Sequence, residues 1–275
     1  MYSINCRGKI YDTSSPLIMG IINATPDSFY EGHLQKSNDD ILRLAEKMIG
    51  DGADILDIGG QSSRPGSDFI PAEEEMNRVM PVIKIIRNAF PKIVISIDSF
   101  NSAVAAKAIE SGADIVNDIS GGNMDEAMIL TVAKLKVPYI CMHMKGTPQT
   151  MQQHAHYENM LTEILDYCIQ RVSVCRAAGI NDIIIDPGFG FSKTIDQNFL
   201  LLKSFKIFRA LGVPVLAGLS RKSTIYKTLD VDVKDSLNGT TVLNTIALMN
   251  GANILRVHDV KEAKQAQLLY SKIYV

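Results

Sequence analysis

One four-residue joint constrains this chain more than any other feature. It occurs as Gly52-Ala53-Asp54-Ile55, Gly112-Ala113-Asp114-Ile115 and Gly251-Ala252-Asn253-Ile254, with a looser copy at Gly179-Ile180-Asn181-Asp182-Ile183. Each glycine is suited to end a helix in a left-handed conformation, and the apolar residues after it open a strand. Short apolar runs flanked by turn residues recur at 17–22, 55–58, 93–97, 115–116, 139–142, 183–185, 215–217 and 254–257, with helix-like stretches between them. Their continuous rather than strictly alternating apolar character, with only an occasional polar residue inside a run, suits parallel strands buried on both faces. The alternation predicts an α/β chain, a single TIM (β/α)8 barrel with its site at the C-terminal ends of the strands. An open doubly wound sheet is the other arrangement the pattern allows. No composition break or proline-rich linker divides the chain, so residues 1–275 read as one domain, with 1–16 as a small cap on the barrel.

Composition narrows the partners. Hydrophobic residues make up 46% of the chain and charged residues 21%, which excludes a disordered chain or a disulfide miniprotein. With 28 basic against 30 acidic residues there is no global positive field for nucleic acid or an anionic membrane surface, so any anion must be bound locally. The first ten residues lack the apolar core of a secretory signal, and no apolar run has the length of a membrane span. The four cysteines form no Cys-x-x-Cys unit, and a reducing cytoplasm is the expected compartment.

Almost every apolar run is followed by a polar residue: Asn23, the Ser62-Ser63-Arg64 group, Asp98, Asn117 with Asp118, His143, Asp186, Arg221 with Lys222, and His258. In a barrel these converge on the C-terminal mouth, where ligands bind. Any one of them alone reads equally well as a helix cap or turn former, but eight at one rim do not. Three groups suit a small anion: Arg64, Arg221-Lys222, and Arg256 with His258. Asp98, Asn117 and Asp186 lie on separate strands without metal-cage spacing and are better suited to reading the edge of a flat heterocycle. There a carboxylate accepts paired N–H bonds and an amide offers donor and acceptor. Lys222 can offset the buried negative charge and donate to a ring oxygen. Met144, just past a strand end, is the candidate pocket wall. His154 and His156 read as a solvated loop without a third ligand, and Cys168 and Cys175 as one buried helix face.

Taken in order, Met19-Gly20-Ile21-Ile22-Asn23-Ala24-Thr25-Pro26-Asp27-Ser28-Phe29, Ser63-Arg64-Pro65-Gly66, Ser96-Ile97-Asp98-Ser99, Asn117-Asp118-Ile119-Ser120-Gly121-Gly122, Met142-His143-Met144-Lys145-Gly146, Asp186-Pro187-Gly188-Phe189-Gly190-Phe191, Ser220-Arg221-Lys222-Ser223 and Arg256-Val257-His258-Asp259-Val260 closely resemble the dihydropteroate synthase family. The resemblance covers nearly the whole chain. It implies condensation of 6-hydroxymethyl-7,8-dihydropterin diphosphate with 4-aminobenzoate, giving 7,8-dihydropteroate and pyrophosphate, with Mg2+ as cofactor and a homodimer as the assembly. It further implies a pterin set of Asp98, Asn117, Asp186, Lys222 and Met144. The diphosphate set is Asn23, Ser63, Arg64, Arg256 and His258, with Asn23 on the metal, and Phe29, Ser63, Pro65, Phe191 and Ser223 form the aminobenzoate slot. Asp98, Arg64, Lys222, Arg256 and His258 are the implied catalytic residues. The chain departs from the family pattern at Ser192, where Gly is usual, at Ser63, where Thr is frequent, and at Glu31-Gly32-His33. If position 192 takes a positive φ, a serine there is strained. A pterin-dependent methyltransferase and a catalytically silent pterin-binding paralogue are the competing readings.

Overall fold

The computed structural model describes residues 2–13, 15–24, 38–62 and 66–274. Strands β1 (Ser3–Cys6) and β2 (Lys9–Asp12) pair antiparallel as a hairpin. Then follow β3 (Leu17–Asn23), β4 (Ile55–Gly59), β5 (Val94–Asp98), β6 (Ile115–Asp118), β7 (Tyr139–Met142), β8 (Ile183–Asp186), β9 (Leu216–Ala217) and β10 (Ile254–Val257). These form one eight-stranded parallel sheet in the order β8-β7-β6-β5-β4-β3-β10-β9. A parallel bridge between Ile185 and Val215 joins its two ends, so the sheet closes and the open doubly wound alternative is excluded. Helices α1 (Asn38–Gly50), α2 (Ala72–Ala89), α3 (Ser102–Glu110), α4 (Met128–Leu135), α5 (Met160–Ala177), α6 (Ile195–Lys203), α7 (Ser223–Leu229), α8 (Leu237–Met249) and α9 (Val260–Tyr274) form the outer layer.

The repeated joint has a physical basis beyond its glycine. Gly52, Gly112, Gly179 and Gly251 all have positive φ, from 93° to 118°, as helix exits of this kind require. The polar residue two positions later then clasps the neighbouring strand. Asp54 N–H donates to Ile18 O at 2.8 Å while Ile18 N–H donates back to Asp54 Oδ2 at 2.8 Å. Asp114 does the same with Ile95, at 2.7 and 2.9 Å, and Asn253 with Val215, at 2.8 and 3.0 Å. Each clasp satisfies a strand-foot N–H that would otherwise lack a partner. Arg87 adds an ion pair to Asp114 at 2.5 Å.

Strand parity sorts the side chains into two populations. Residues such as Ile18, Leu56, Ile95, Val116, Cys141, Ile185 and Leu255 pack outward against helix residues that include Val79, Ile83, Val104, Ile164 and Leu201. The other parity, Met19, Ile55, Val94, Ile115, Ile140, Ile184, Leu216 and Ile254, fills the floor of the barrel together with Ile4 and Cys6 of the hairpin. Each of these buried side chains contributes roughly 1.5–3 kcal/mol. The apolar plug closes the N-terminal end, and chemistry is confined to the layers above it.

Candidate active site

Two residues further along the same inward parity, the floor gives way to polar groups: Asp57 on β4, Ser96 on β5, Asn117 on β6, Asp186 on β8 and Arg256 on β10. Asp57 and Ser96 are cross-strand neighbours in register, and both are fully buried. Arg256 lies between two carboxylates, with Nε 2.6 Å from Asp57 Oδ2 and a terminal nitrogen 2.5 Å from Asp98 Oδ2. Asn117 Nδ2 donates to the same Asp57 Oδ2 at 3.0 Å. Burial pushes Asp98 up to about 7, against the opposing pull of Arg256. Burial also works against the Arg256 cation, but Asp57 and Asp98 outweigh it and hold it protonated.

Across the mouth, Asp186 and Lys222 face each other over Gly218. A Cβ added at Gly218 would sit 3.7 Å from Lys222 Nζ and 3.9 Å from Asp186 Oδ2, so this glycine keeps the space between them open. Asp186 Oδ1 accepts the Gly188 N–H at 2.8 Å, leaving Oδ2 toward that space. Burial raises Asp186 despite Lys222, and burial lowers Lys222 to about 8 despite Asp186. Lys222 Nζ also donates to the Phe189 carbonyl and lies 4.9 Å from the centre of the Phe191 ring. Among the described residues, the inner wall thus sets Asp57, Asp98 and Asp186 against the two cations Arg256 and Lys222.

The turn carrying Asp186 is fixed from below. Gly188 has φ +76°, and a Cβ there would meet the His143 carbonyl oxygen at 2.0 Å. Buried Lys193 donates to Gly188 O at 2.9 Å and Phe191 O at 3.0 Å, and its Nζ lies 3.1 Å from His143 Nδ1. Burial and Lys193 together push His143 down to about 2, so its ring is neutral and Nδ1 is free to accept. Ser192 does take a positive φ, 48°. Its hydroxyl accepts Lys145 N–H at 3.0 Å and donates to Phe191 O at 2.8 Å, and its carbonyl accepts Tyr157 O–H at 3.0 Å. The strained serine therefore ties the turn after β8 to the loop after β7.

The structure brings Asp98, Asn117, Asp186, Lys222 and Arg256 to one mouth, and Met144 and Phe191 to one apolar cluster with Met142 and Met151. Asn23 ends β3 exposed, in register with Gly59. Ser223 opens α7, half-buried. His258 is exposed, with Nδ1 3.0 Å from Ser220 Oγ. Phe29, Ser63, Arg64 and Pro65 lie outside the described residues.

Three expectations from the rim pattern are corrected. Arg221 is not an anion ligand in waiting, because Asp259 holds its guanidinium at 2.6 and 2.9 Å. Asp118 has the outward parity and accepts from Tyr139 O–H and Ser120 N–H at 2.7 Å, so it braces the wall behind the mouth. His143 is buried beneath the β8 turn beside Lys193. Asp57 and Lys193 are the pocket-building residues that the sequence reading passes over. Asp57 sits inside an apolar run, where only the period-2 alternation Ile55, Asp57, Gly59 marks it as inward-facing.

The barrel and its inner wall define a (β/α)8 protein whose mouth presents fixed donors and acceptors, the arrangement of a ligand-binding barrel. The profile of the pterin binding enzyme family matches residues 19–258. A dihydropteroate synthase of Haemophilus influenzae is 44% identical over 256 residues, covering 92% of each chain. Among solved structures, a Yersinia pestis dihydropteroate synthase in complex with a sulfonamide drug superposes with a TM-score of 0.93 at 36% identity, covering 99% of this chain and 98% of the other. A Xanthomonas albilineans dihydropteroate synthase with 4-aminobenzoic acid superposes with a TM-score of 0.92 at 35% identity, covering 98% and 97%. The chain belongs to the pterin binding enzymes and, within them, to the dihydropteroate synthases.

Proposed function

We propose that this enzyme joins 4-aminobenzoate to the methylene carbon of 6-hydroxymethyl-7,8-dihydropterin diphosphate, releasing pyrophosphate and forming 7,8-dihydropteroate. The observation that carries the reading is the pairing of Asp186 with Lys222 across the space held open by Gly218, opposite Asn117 and Asp98. In this reading Asp186 accepts the amino and ring N–H groups of the pterin, Lys222 donates to its ring oxygen, and Asn117 supplies a donor and an acceptor. Met144 lines the ring, and Phe191 with Ser223 lines the aminobenzoate slot, together with Phe29, Ser63 and Pro65.

The diphosphate departs first, the electron-rich pterin carries the resulting methylene cation, and the arylamine nitrogen attacks it. No protein nucleophile takes part. Asp98 faces the cation, while Arg256, His258, Arg64 and Ser63 stabilise charge developing on the leaving group. Asn23 offers a hard amide oxygen at the mouth, and among the described residues no cluster of three acidic, His or Cys side chains forms an all-protein cage. A hard oxygen of this kind fits Mg2+, and Asn23 would be the residue that holds it. When bound, the ion supplies Lewis-acid stabilisation of the departing diphosphate. A homodimer working in the cytoplasm belongs to the same reading, and no described helix is long and apolar enough to cross a membrane.

The test is pyrophosphate release and dihydropteroate formation by purified protein with both substrates and Mg2+, with the Asp186→Ala, Lys222→Ala double variant as control. Product from wild type alone supports the synthase. Pterin binding without product by folded wild type would replace it with the silent paralogue.

A further inference from the structure

We propose that Asp57 is a positioning residue that fixes the orientation of the Asn117 amide, and with it the order of donor and acceptor shown to the pterin ring. The inference rests on the pterin reading above. Asp57 has no exposed surface, so its effect on a ligand must pass through its partners. Its Oδ2 accepts from Asn117 Nδ2 at 3.0 Å and from Arg256 Nε at 2.6 Å. An ionised carboxylate can only accept, whereas a carboxamide rotated by half a turn exchanges oxygen for nitrogen at almost no steric cost. Asp57 therefore removes the ambiguity: the Asn117 amino group turns toward it, which leaves the carbonyl oxygen and one N–H for the ligand. A 7,8-dihydropterin carries a hydrogen on N8 beside a bare N1, a donor next to an acceptor. The fixed amide is the complement of that pair, and its flipped form is not.

A second observation points to the same residue. Among the described residues, Asp57 Oδ1 is buried without a hydrogen-bond partner, and so is Ser96 Oγ, its cross-strand neighbour. A buried carboxylate with one oxygen unsatisfied lowers stability. That cost falls on the residue whose other oxygen holds Asn117 and Arg256.

The experiment is a double-mutant cycle on binding of 6-hydroxymethyl-7,8-dihydropterin without its diphosphate, which leaves Arg256 no group to meet, with steady-state kinetics beside it. Asp57→Asn is expected to raise Kd for the dihydropterin and KM for pterin diphosphate about tenfold and to leave KM for 4-aminobenzoate within about twofold, because an amide at position 57 no longer dictates which end of Asn117 faces it. In an Asn117→Ala background the same substitution is expected to change affinity for the dihydropterin without its diphosphate less than threefold, since the group being oriented is gone and the diphosphate that Arg256 would meet is absent from the probe. An equal loss in both backgrounds, or an equal rise in both KM values, overturns the proposal in favour of a general packing role. If Asp57→Asn fails to fold, Asp57→Ser carries the same cycle. Wild-type protein that binds no pterin diphosphate would defeat the functional reading itself, a result visible before any variant is compared.

Discussion

At the residue scale, the proposed pterin set rests first on the pair Asp186 and Lys222. Asp186 keeps one oxygen for the ligand after its bond to Gly188 N–H, so Asp186→Ala is expected to weaken pterin diphosphate binding by about 1.5–3 kcal/mol, the range for a charged hydrogen bond. Calorimetry on the folded variant reads this directly, and unchanged affinity would remove Asp186 from the pterin set. Gly218 supplies a steric counterpart. A methyl group there makes only ordinary contacts, none closer than 3.7 Å, so Gly218→Ala should fold as wild type does. It nonetheless fills the space between carboxylate and ammonium, and should weaken pterin binding by about 1–3 kcal/mol without a matching fall in melting temperature. A parallel loss of both would mean that Gly218 serves the fold alone. Asp98, Asn117 and Asp186 were legible in the sequence because each follows an apolar run, and Arg256 because it stands two residues from His258 at the end of one. Asp57 was not, since an acidic residue flanked by Leu56 and Ile58 interrupts such a run without ending it.

Among the elements, the turn from β8 to α6 carries backbone strain inside the site's support. Ser192 holds φ 48°, a conformation that disfavours a side chain by roughly 1–2 kcal/mol. Glycine would relieve that strain but leave Lys145 N–H without its acceptor, at about 1–3 kcal/mol, and would add unfolded-chain entropy worth about 0.4–1 kcal/mol. The second set of effects is the larger, so Ser192→Gly is expected to destabilise the protein by about 1 kcal/mol in urea unfolding. A more stable variant would show that the hydroxyl contacts do not compensate the strain.

His143, under the same turn, gives a pH signature. Its folded pKa of about 2 lies far below the ordinary 6.5, so between those values the unfolded chain binds the extra proton and stability falls as pH falls. From pH 7 to pH 5 this group alone removes about 2 kcal/mol. His143→Asn keeps an acceptor for Lys193 and should flatten that slope, and an unchanged slope would assign the acid sensitivity elsewhere. The strands themselves were foreseen nearly residue for residue, 139–142 and 254–257 among them, because a sheet covered on both faces leaves continuous apolar runs. The clasps and the Lys193 lock were not, because side-chain bonds between distant segments leave no periodic trace in sequence.

For the molecule as a whole, stability and chemistry sit at opposite ends. Ile4 reaches the barrel floor from the hairpin and is 1% exposed. Ile4→Ala is expected to lower stability by about 2–5 kcal/mol while leaving turnover unchanged wherever the variant is folded. A large loss of kcat in folded Ile4→Ala would mean that the floor and the mouth are coupled. The net charge of −2 is likewise a property of the whole surface, while the positive groups that matter are local.

The clasps made by Asp54, Asp114 and Asn253 have a consequence for how such a chain can change over generations. Each pins the foot of a strand to a helix exit, so the count of residues from foot to rim decides which side chains enter the barrel. One residue inserted in β4 would rotate Asp57 out among the helices and bring an isoleucine or leucine into its place. The same insertion in a loop above the rim would leave the strand parity, and with it the inner wall, unchanged. Heritable variation in this molecule is therefore channelled into loop length and loop sequence, and the strands keep a fixed count because every position along them is keyed from below.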